Sequence, residues 1–222
     1  MDALAGTLPP PVPLARRLIL ASASQGRRQL LAAAGYAFHV HPADLDEPAD
    51  APHGDCQRYV AELAWAKAHA VAPHYDSAFI LAADTVAWID GHVVGKPADE
   101  HEARRILRTL AGRTHQLWTG VCLWLRPEDL QLAWQELSLV ALRPLEEAHI
   151  DHYLRSRPWR HCSGAYALQL PHDPDLTVLH GSPSNVIGLP LESLHRAFRL
   201  LHHLLPLISP SSRPPEFPQT SP

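Results

Sequence analysis
The pattern of apolar and polar positions is sharpest between residues 79 and 97. An apolar run, residues 79–83, leads into Asp84, and a second β-prone run follows at residues 86–89. Asp90-Gly91 then predicts a tight hairpin, because both central positions of that turn favour positive φ. Val93-Val94 returns antiparallel, and Gly95-Lys96-Pro97 ends the strand. A lone carboxylate therefore sits mid-strand in apolar company, with a lysine at the end of the partner strand. A buried carboxylate without compensation is costly. The pattern asks for a cation or a metal-bound substrate near Asp84.

Earlier in the chain, residues 17–21 form a short continuous apolar run, the pattern of a buried strand. Ser22-Ala23-Ser24-Gln25-Gly26-Arg27-Arg28 follows, then Leu30, Leu31 and Ala34 at helical spacing, with Gly35 suited to the C′ position. This predicts strand, tight turn and helix, with Ser24 near the N-cap. Such a helix start reads either as an anion site or as an ordinary capped helix with solvated arginines. Residues 37–41 alternate as a strand and put His39 and His41 on one face, but a pair without a third ligand is weak grounds for a metal. Residues 59–71 are helical. Lys67 lies along the apolar stripe, at i+4 from Leu63. It either snorkels to solvent or meets a buried anion.

Asp99 and Glu102 open the next helix in capping-box fashion. Its buried stripe is Ala103, Ile106, Leu107 and Leu110, its solvated face Arg104, Arg105 and Arg108, and Gly112 closes it. Residues 114–125 and 131–142 read as strands and 145–155 as a short helix. Residues 162–169 read as a small-residue turn entering a strand, 176–180 as a strand, and 181–188 as a polar loop. Pro190 is well placed to open the last helix, residues 191 to about 205. The expected organisation is one α/β domain over residues 17–206. Flexible tails are expected at 1–16 and, rich in proline, at 207–222.

Composition narrows the function classes. A chain of 222 residues fits one α/β domain or two small lobes, and an apolar fraction of 46% is enough for a substantial core. A net charge of −4 provides no basic field, so bulk nucleic-acid binding is not expected. The three cysteines, Cys56, Cys122 and Cys162, are far apart and odd in number. That speaks against a disulfide frame or zinc cluster and for a reducing cytoplasm. No signal-peptide pattern or membrane-spanning run is seen, so a cytoplasmic location without membrane attachment is expected. Asp44, Asp46 and Glu47 form a carboxylate cluster in a loop, which reads either as hard oxygen ligands for Mg²⁺ or as a solvated run.

One ordered set of short motifs goes beyond periodicity. It comprises Leu20-Ala21-Ser22-Ala23-Ser24 with Arg27, then Asp46-Glu47, Ala66-Lys67-Ala68, Ala83-Asp84-Thr85-Val86, Gly95-Lys96-Pro97 and Gly112-Arg113-Thr114-His115. Tyr153, Gly164-Ala165-Tyr166, Gln169 and Val186-Ile187-Gly188-Leu189-Pro190 complete it. In this order the set resembles the Maf family of nucleoside triphosphate pyrophosphatases, over nearly the whole chain apart from its tails. The resemblance implies a fold like that of the Maf and inosine-triphosphatase group: a long, mixed, twisted sheet with flanking helices and two lobes around a cleft. It implies hydrolysis of the bond between the α- and β-phosphates, with Mg²⁺ or Mn²⁺ as divalent metal. It further implies a homodimer, a link to septum formation, and a role in removing non-standard nucleotides.

Triphosphate hydrolysis needs charge neutralisation, an aligned water and a proton acceptor. Asp84 is the candidate acceptor and a candidate metal ligand. Glu47, with Asp46 beside it, is the second candidate for metal or water. Lys67, Lys96 and Arg27 would hold phosphates, and Ser22 with the Ser24–Arg27 backbone would form an anion cradle. Gly26, Thr85 and Gln169 match family positions that bear on base choice, and the Gln169 amide can both donate to and accept from a pyrimidine edge. Asp84-Thr85, Gly164-Ala165-Tyr166 and Gln169 resemble the branch acting on dTTP and UTP. His161-Cys162 resembles instead the branch acting on 7-methyl-GTP, and Gln25-Gly26 departs from the Pro-Arg usual in the family. Alternatives outside this reading are a nucleotide-binding division regulator with vestigial hydrolysis and a metal-dependent phosphatase releasing orthophosphate.

Overall fold
The computed structural model describes residues 9–45, 55–156, 159–160, 162–168 and 173–208. The elements, in chain order, are β1 (Leu18–Leu20), α1 (Gln25–Ala33), β2 (Phe38–Val40), α2 (Cys56–Val71), β3 (Ala78–Ile89), β4 (His92–Val94) and α3 (Glu100–Leu110). They continue with β5 (Thr114–Arg126), β6 (Leu130–Leu142), α4 (Glu147–Ser156), β7 (Leu176–His180), α5 (Pro183–Ile187) and α6 (Leu191–Ile208). One seven-stranded sheet runs in the order β2-β1-β3-β5-β6-β7, with β4 added to β3. β1 pairs parallel with β2 and with β3, and every other pairing is antiparallel. The fold is α/β with a long mixed sheet, as expected.

β3 is the axis. Its apolar runs on either side of Asp84 form one strand, because β5 pairs with it without interruption from Ala78↔Arg126 to Trp88↔Gln116. The strand is buried on both faces, and its side chains alternate between two cores. Phe79, Leu81 and Ala83 join Leu30 and Leu31 of α1 and Leu191, Leu194, Phe198, Leu201 and Leu205 of α6. Ile80 and Ala82 join Ala64, Ala68 and Val71 of α2. Further along, Ala87 and Ile89 join the α3 stripe, Tyr153 and Leu154 of α4, and Tyr166. Asp90 and Gly91 have φ of 52° and 81°, the paired positive values that the hairpin signal required. Asp99 caps α3 by accepting from the Glu102 amide at 2.8 Å.

Three expectations need correction. Residues 181–188 hold a short helix, not only a loop: Ser182 caps α5 and accepts from the Asn185 amide at 3.2 Å. Its polar residues point inward, with Asn185 Nδ2 donating to Ser138 Oγ at 2.9 Å and Ser184 Oγ donating to Glu192 at 2.6 Å. After the turn at Ser163–Ala165, Tyr166, Ala167 and Leu168 belong to no strand. Arg104 and Arg108 do not simply face solvent, since they reach Asp151 and Glu147 of α4, each at 2.6 Å. Val12 is buried in the core beneath α6, Arg16 Nη2 pairs with Glu128 at 2.6 Å, and α6 runs through Pro206 to Ile208. No helix among the described residues is long and apolar enough to cross a membrane.

Candidate active site
β1 runs beside β3 only as far as Leu81, whose carbonyl accepts from the Ala21 amide at 2.8 Å. β4 takes up the same edge of β3 from Ala87 onward. Residues 82–86 of β3 thus lie outside both registers, just past the carboxyl end of a parallel strand. In open α/β sheets that is where a crevice for ligand forms. Asp84 is at the middle of this interval.

On one face of β3, Asp84 meets α2. Asp55 caps that helix by accepting from the Arg58 amide at 2.9 Å, and its buried stripe runs Tyr59, Val60, Leu63, Ala64, Lys67, Ala68 and Val71. Lys67 therefore points into the protein, and its Nζ lies 2.5 Å from Asp84 Oδ1. Both residues are buried, at 7% and 4% exposure, so of the two readings of Lys67 the buried anion holds. What brings the helix this close is Gly120, the residue of β5 paired with Asp84. A Cβ there would stand 2.1 Å from the Val60 carbonyl oxygen, so only glycine lets α2 lie on the sheet at this point. A buried carboxylate is thereby matched by a buried ammonium, the compensation its position demands. Nearby, burial pushes the Cys56 thiol up to about 12, with the charges of Asp55 and Asp84 adding to the effect. The thiol is inert.

The opposite face, one residue along, is built from hydroxyls, a carbonyl and Arg27. Ser24 caps α1 as expected, accepting from the Arg27 amide at 3.4 Å. The Arg27 side chain turns inward, at 9% exposure. Nε donates to the Gly188 carbonyl at 2.7 Å, Nη1 to Ser22 Oγ at 3.0 Å and Nη2 to Thr85 Oγ1 at 3.1 Å. Thr85 Oγ1 also lies 2.9 Å from Thr119 Oγ1. Arg27 thus braces the ends of β1 and α5 against β3. Gly26 sits beneath the end of α5: a Cβ there would lie 3.1 Å from Ile187 Cγ2 and 3.3 Å from the Ile187 carbonyl oxygen.

Lys96 is exposed, in the segment that follows β4. That segment is tied to the turn at Ser163–Ala165, whose Gly164 amide donates to the Gly95 carbonyl at 3.1 Å. Ser163 Oγ donates to the Thr85 carbonyl at 2.7 Å, on the edge of β3 between β1 and β4. Burial raises the Cys162 thiol pKa, and the nearby Lys96 charge opposes that rise. Behind the turn, the Tyr166 hydroxyl and His115 Nε2 are 2.7 Å apart, and the Tyr153 hydroxyl accepts from the Ala167 amide at 3.0 Å. Burial drives His115 down to about 4 and holds Tyr166 well above its ordinary value, so a neutral imidazole meets a neutral phenol.

The structure thus gathers Asp84, Lys67, Thr85, Ser22, Ser24, Gly26 and Arg27 around one interval of β3, and links the segment of Lys96 to its open edge through the turn at Ser163–Ala165. Asp46, Glu47, His161 and Gln169 lie outside the described residues. Gly120, Thr119 and Ser163 were not assigned to the site by pattern, and His115 and Tyr166 entered only as parts of short motifs, without a role. Of these, Gly120 left a trace in the sequence, as a glycine inside an otherwise strand-like run. No group of three or more histidine, cysteine or carboxylate side chains among the described residues could hold a metal ion. A single carboxylate still suits Mg²⁺, which commonly binds through one or two carboxylates together with water and substrate phosphates.

Comparison with known proteins bears on this arrangement. A "dTTP/UTP pyrophosphatase" of Rhodopirellula baltica is 39% identical over 178 residues, covering 80% of this chain and 78% of that one. Proteins of the same name from Koribacter versatilis and Lacticaseibacillus casei are 37% and 38% identical. They cover 82% and 81% of this chain and 93% and 96% of their own. Among solved structures, the Staphylococcus aureus Ham1 protein superposes with a TM-score of 0.41 at 14% identity, over 57% of this chain and 72% of that one, a likeness too slight to carry an argument. The family model described as "Maf-like protein" matches residues 17–201, which takes in every described site residue, and the chain belongs to that family.

Proposed function
We propose that this protein hydrolyses dTTP and UTP to the nucleoside monophosphate and pyrophosphate. The observation that carries the chemistry is the buried Lys67–Asp84 pair at the open interval of β3. Relatives named for dTTP and UTP, 37–39% identical over four-fifths of the chain, supply the substrate class. Asp84, paired with Lys67, accepts a proton from water as the water oxygen bonds to the α-phosphorus. The α–β bridging P–O bond breaks and pyrophosphate leaves with the electron pair. Lys96 and the first amides of α1, beside Ser22 and Ser24, face the triphosphate charge. Arg27 acts mainly by bracing that cradle. Mg²⁺ or Mn²⁺ would be held by Asp84 with Glu47 and the phosphate oxygens, and when bound it neutralises charge on the triphosphate. Thr85 and Gly26 belong to the wall beneath α5, and Gln169 offers the donor–acceptor pair for a pyrimidine edge.

A nucleotide panel with Mg²⁺ or Mn²⁺, read for both monophosphate and pyrophosphate, tests this. The expected result is preference for dTTP and UTP with stoichiometric pyrophosphate. Orthophosphate as product, or no turnover, would overturn the reaction. A preference for 7-methyl-GTP would keep the reaction and move the substrate to the branch that His161-Cys162 resembles.

A further inference from the structure
The open interval of β3 leaves backbone groups of the strand to be satisfied by something other than a strand. At Thr85 the partner is a side chain: Ser163 Oγ donates to the Thr85 carbonyl at 2.7 Å. The next residue fastens a different segment, since the Gly164 amide donates to the Gly95 carbonyl at 3.1 Å. Two consecutive residues of one turn therefore hold the strand that carries Asp84 and the segment that carries Lys96. The turn itself has little freedom. Gly164 and Ala165 both have positive φ, 75° and 58°. A Cβ on Gly164 would come within 2.8 Å of the Tyr166 ring. Behind it, Tyr166 is held by His115, and Ala167 by Tyr153.

We infer that Ser163 is a positioning residue that sets Lys96 relative to Asp84 by latching the 163–165 turn to the Thr85 carbonyl. This rests on the reading of Lys96 as a phosphate-holding group. Without the hydroxyl, the turn keeps its rear anchors but loses its front attachment to β3. Gly95, one residue beyond the last β4 pairing at Val94, then keeps its bond to Gly164 while the turn no longer fixes it to the Thr85 carbonyl, and Lys96 gains freedom about that hairpin end. Lys96 makes no bond to Ser163 in this scheme, and Ser163 touches no substrate.

A double-mutant cycle on the full chain tests it, with UTP hydrolysis read as kcat and KM separately and a melt of each variant. Ser163→Ala should lower kcat/KM about tenfold, the scale of one lost hydrogen bond, with little change in melting temperature. Ser163→Thr, which keeps the hydroxyl, should stay within about threefold of wild type. In the Lys96→Ala background, Ser163→Ala should change kcat/KM by less than about twofold, because the group it positions is gone. A full tenfold loss in that background would show that Ser163 acts otherwise and overturn the inference. So would an unchanged kcat/KM in Ser163→Ala while Lys96→Ala is impaired, which leaves the Lys96 reading intact. An unimpaired Lys96→Ala would instead remove the Lys96 reading, and the inference with it. If Ser163→Ala does not fold, Ser163→Cys carries the same cycle with a weak donor and an intermediate loss.

Discussion

On one face of β3, Asp84 meets Lys67 at 2.5 Å; on the other, one residue later, Thr85 shares its hydroxyl with Arg27 and Thr119 at 3.1 and 2.9 Å. Both faces bury a cation, yet they use it differently. On the α2 face the cation pairs directly with a carboxylate, the proposed proton acceptor. On the α1–α5 face it gathers a hydroxyl, a carbonyl and the end of a strand into a wall. Removing charge from the first face should therefore cost turnover, whereas disturbing the second should cost shape.

The sharpest test is Asp84→Asn. It keeps the side-chain shape and removes the proton acceptor, so turnover should fall by about 10²–10⁴-fold with the fold kept. Activity within a few-fold of wild type in a folded variant would put the chemistry elsewhere. Lys67→Met should come next. It leaves a buried carboxylate without this lysine, a change that costs about 3–5 kcal/mol for a buried pair. Chemical denaturation should show the loss, and Lys67→Met combined with Asp84→Asn should recover a large part of it. If the double variant is no more stable than Lys67→Met, the pair is not what holds this face.

The opposite face can be probed by pH. Burial depresses His115 to about 4, from 6.5. Between those values the unfolded chain binds a proton that the folded chain refuses. The stabilisation is thus complete above about pH 6.5 and is lost as pH falls toward 4. Over that window it amounts to about 3 kcal/mol. Urea melts at pH 7 and pH 4.5 should show a smaller acid loss in His115→Gln than in wild type, and equal losses would assign the acid limb to other groups. The smallest effect is expected at Gly26. Gly26→Arg must move Ile187 by a few tenths of an ångström, at a cost of about 1 kcal/mol. The added charge should lower KM for dTTP and UTP by at most about tenfold. An unchanged ranking of dTTP, UTP and 7-methyl-GTP would show that this position does not select the base.

The sequence was most legible where one local signal decides. The Asp90-Gly91 turn, the Ser24 and Asp99 caps and the Leu191–Leu194–Phe198–Leu201–Leu205 stripe all stand as their patterns predicted. Lys67 was half legible: its place on the apolar stripe could be read, but its partner sits 17 residues later on a strand, and local spacing does not report that contact. α5 was misread because Ser182, Ser184 and Asn185 carry no apolar periodicity. They anchor the helix by hydrogen bonds to β6 and α6, which a hydropathy pattern does not register. The bonds of Arg27 to Gly188, Ser22 and Thr85 join three separate parts of the chain, which no local pattern reports.

Gly120 carries a consequence for how the protein tolerates change. The contact of Val60 with the backbone at this residue is what seats α2 on the sheet, and α2 is what delivers Lys67 to Asp84. No graded series of substitutions exists at such a point, because even a methyl group would stand 2.1 Å from a carbonyl oxygen. Activity and the docking of α2 are consequently lost together. A form that keeps its sheet but lets this helix lift would be silent, so heat inactivation should follow the undocking of one helix and precede the melting of the sheet.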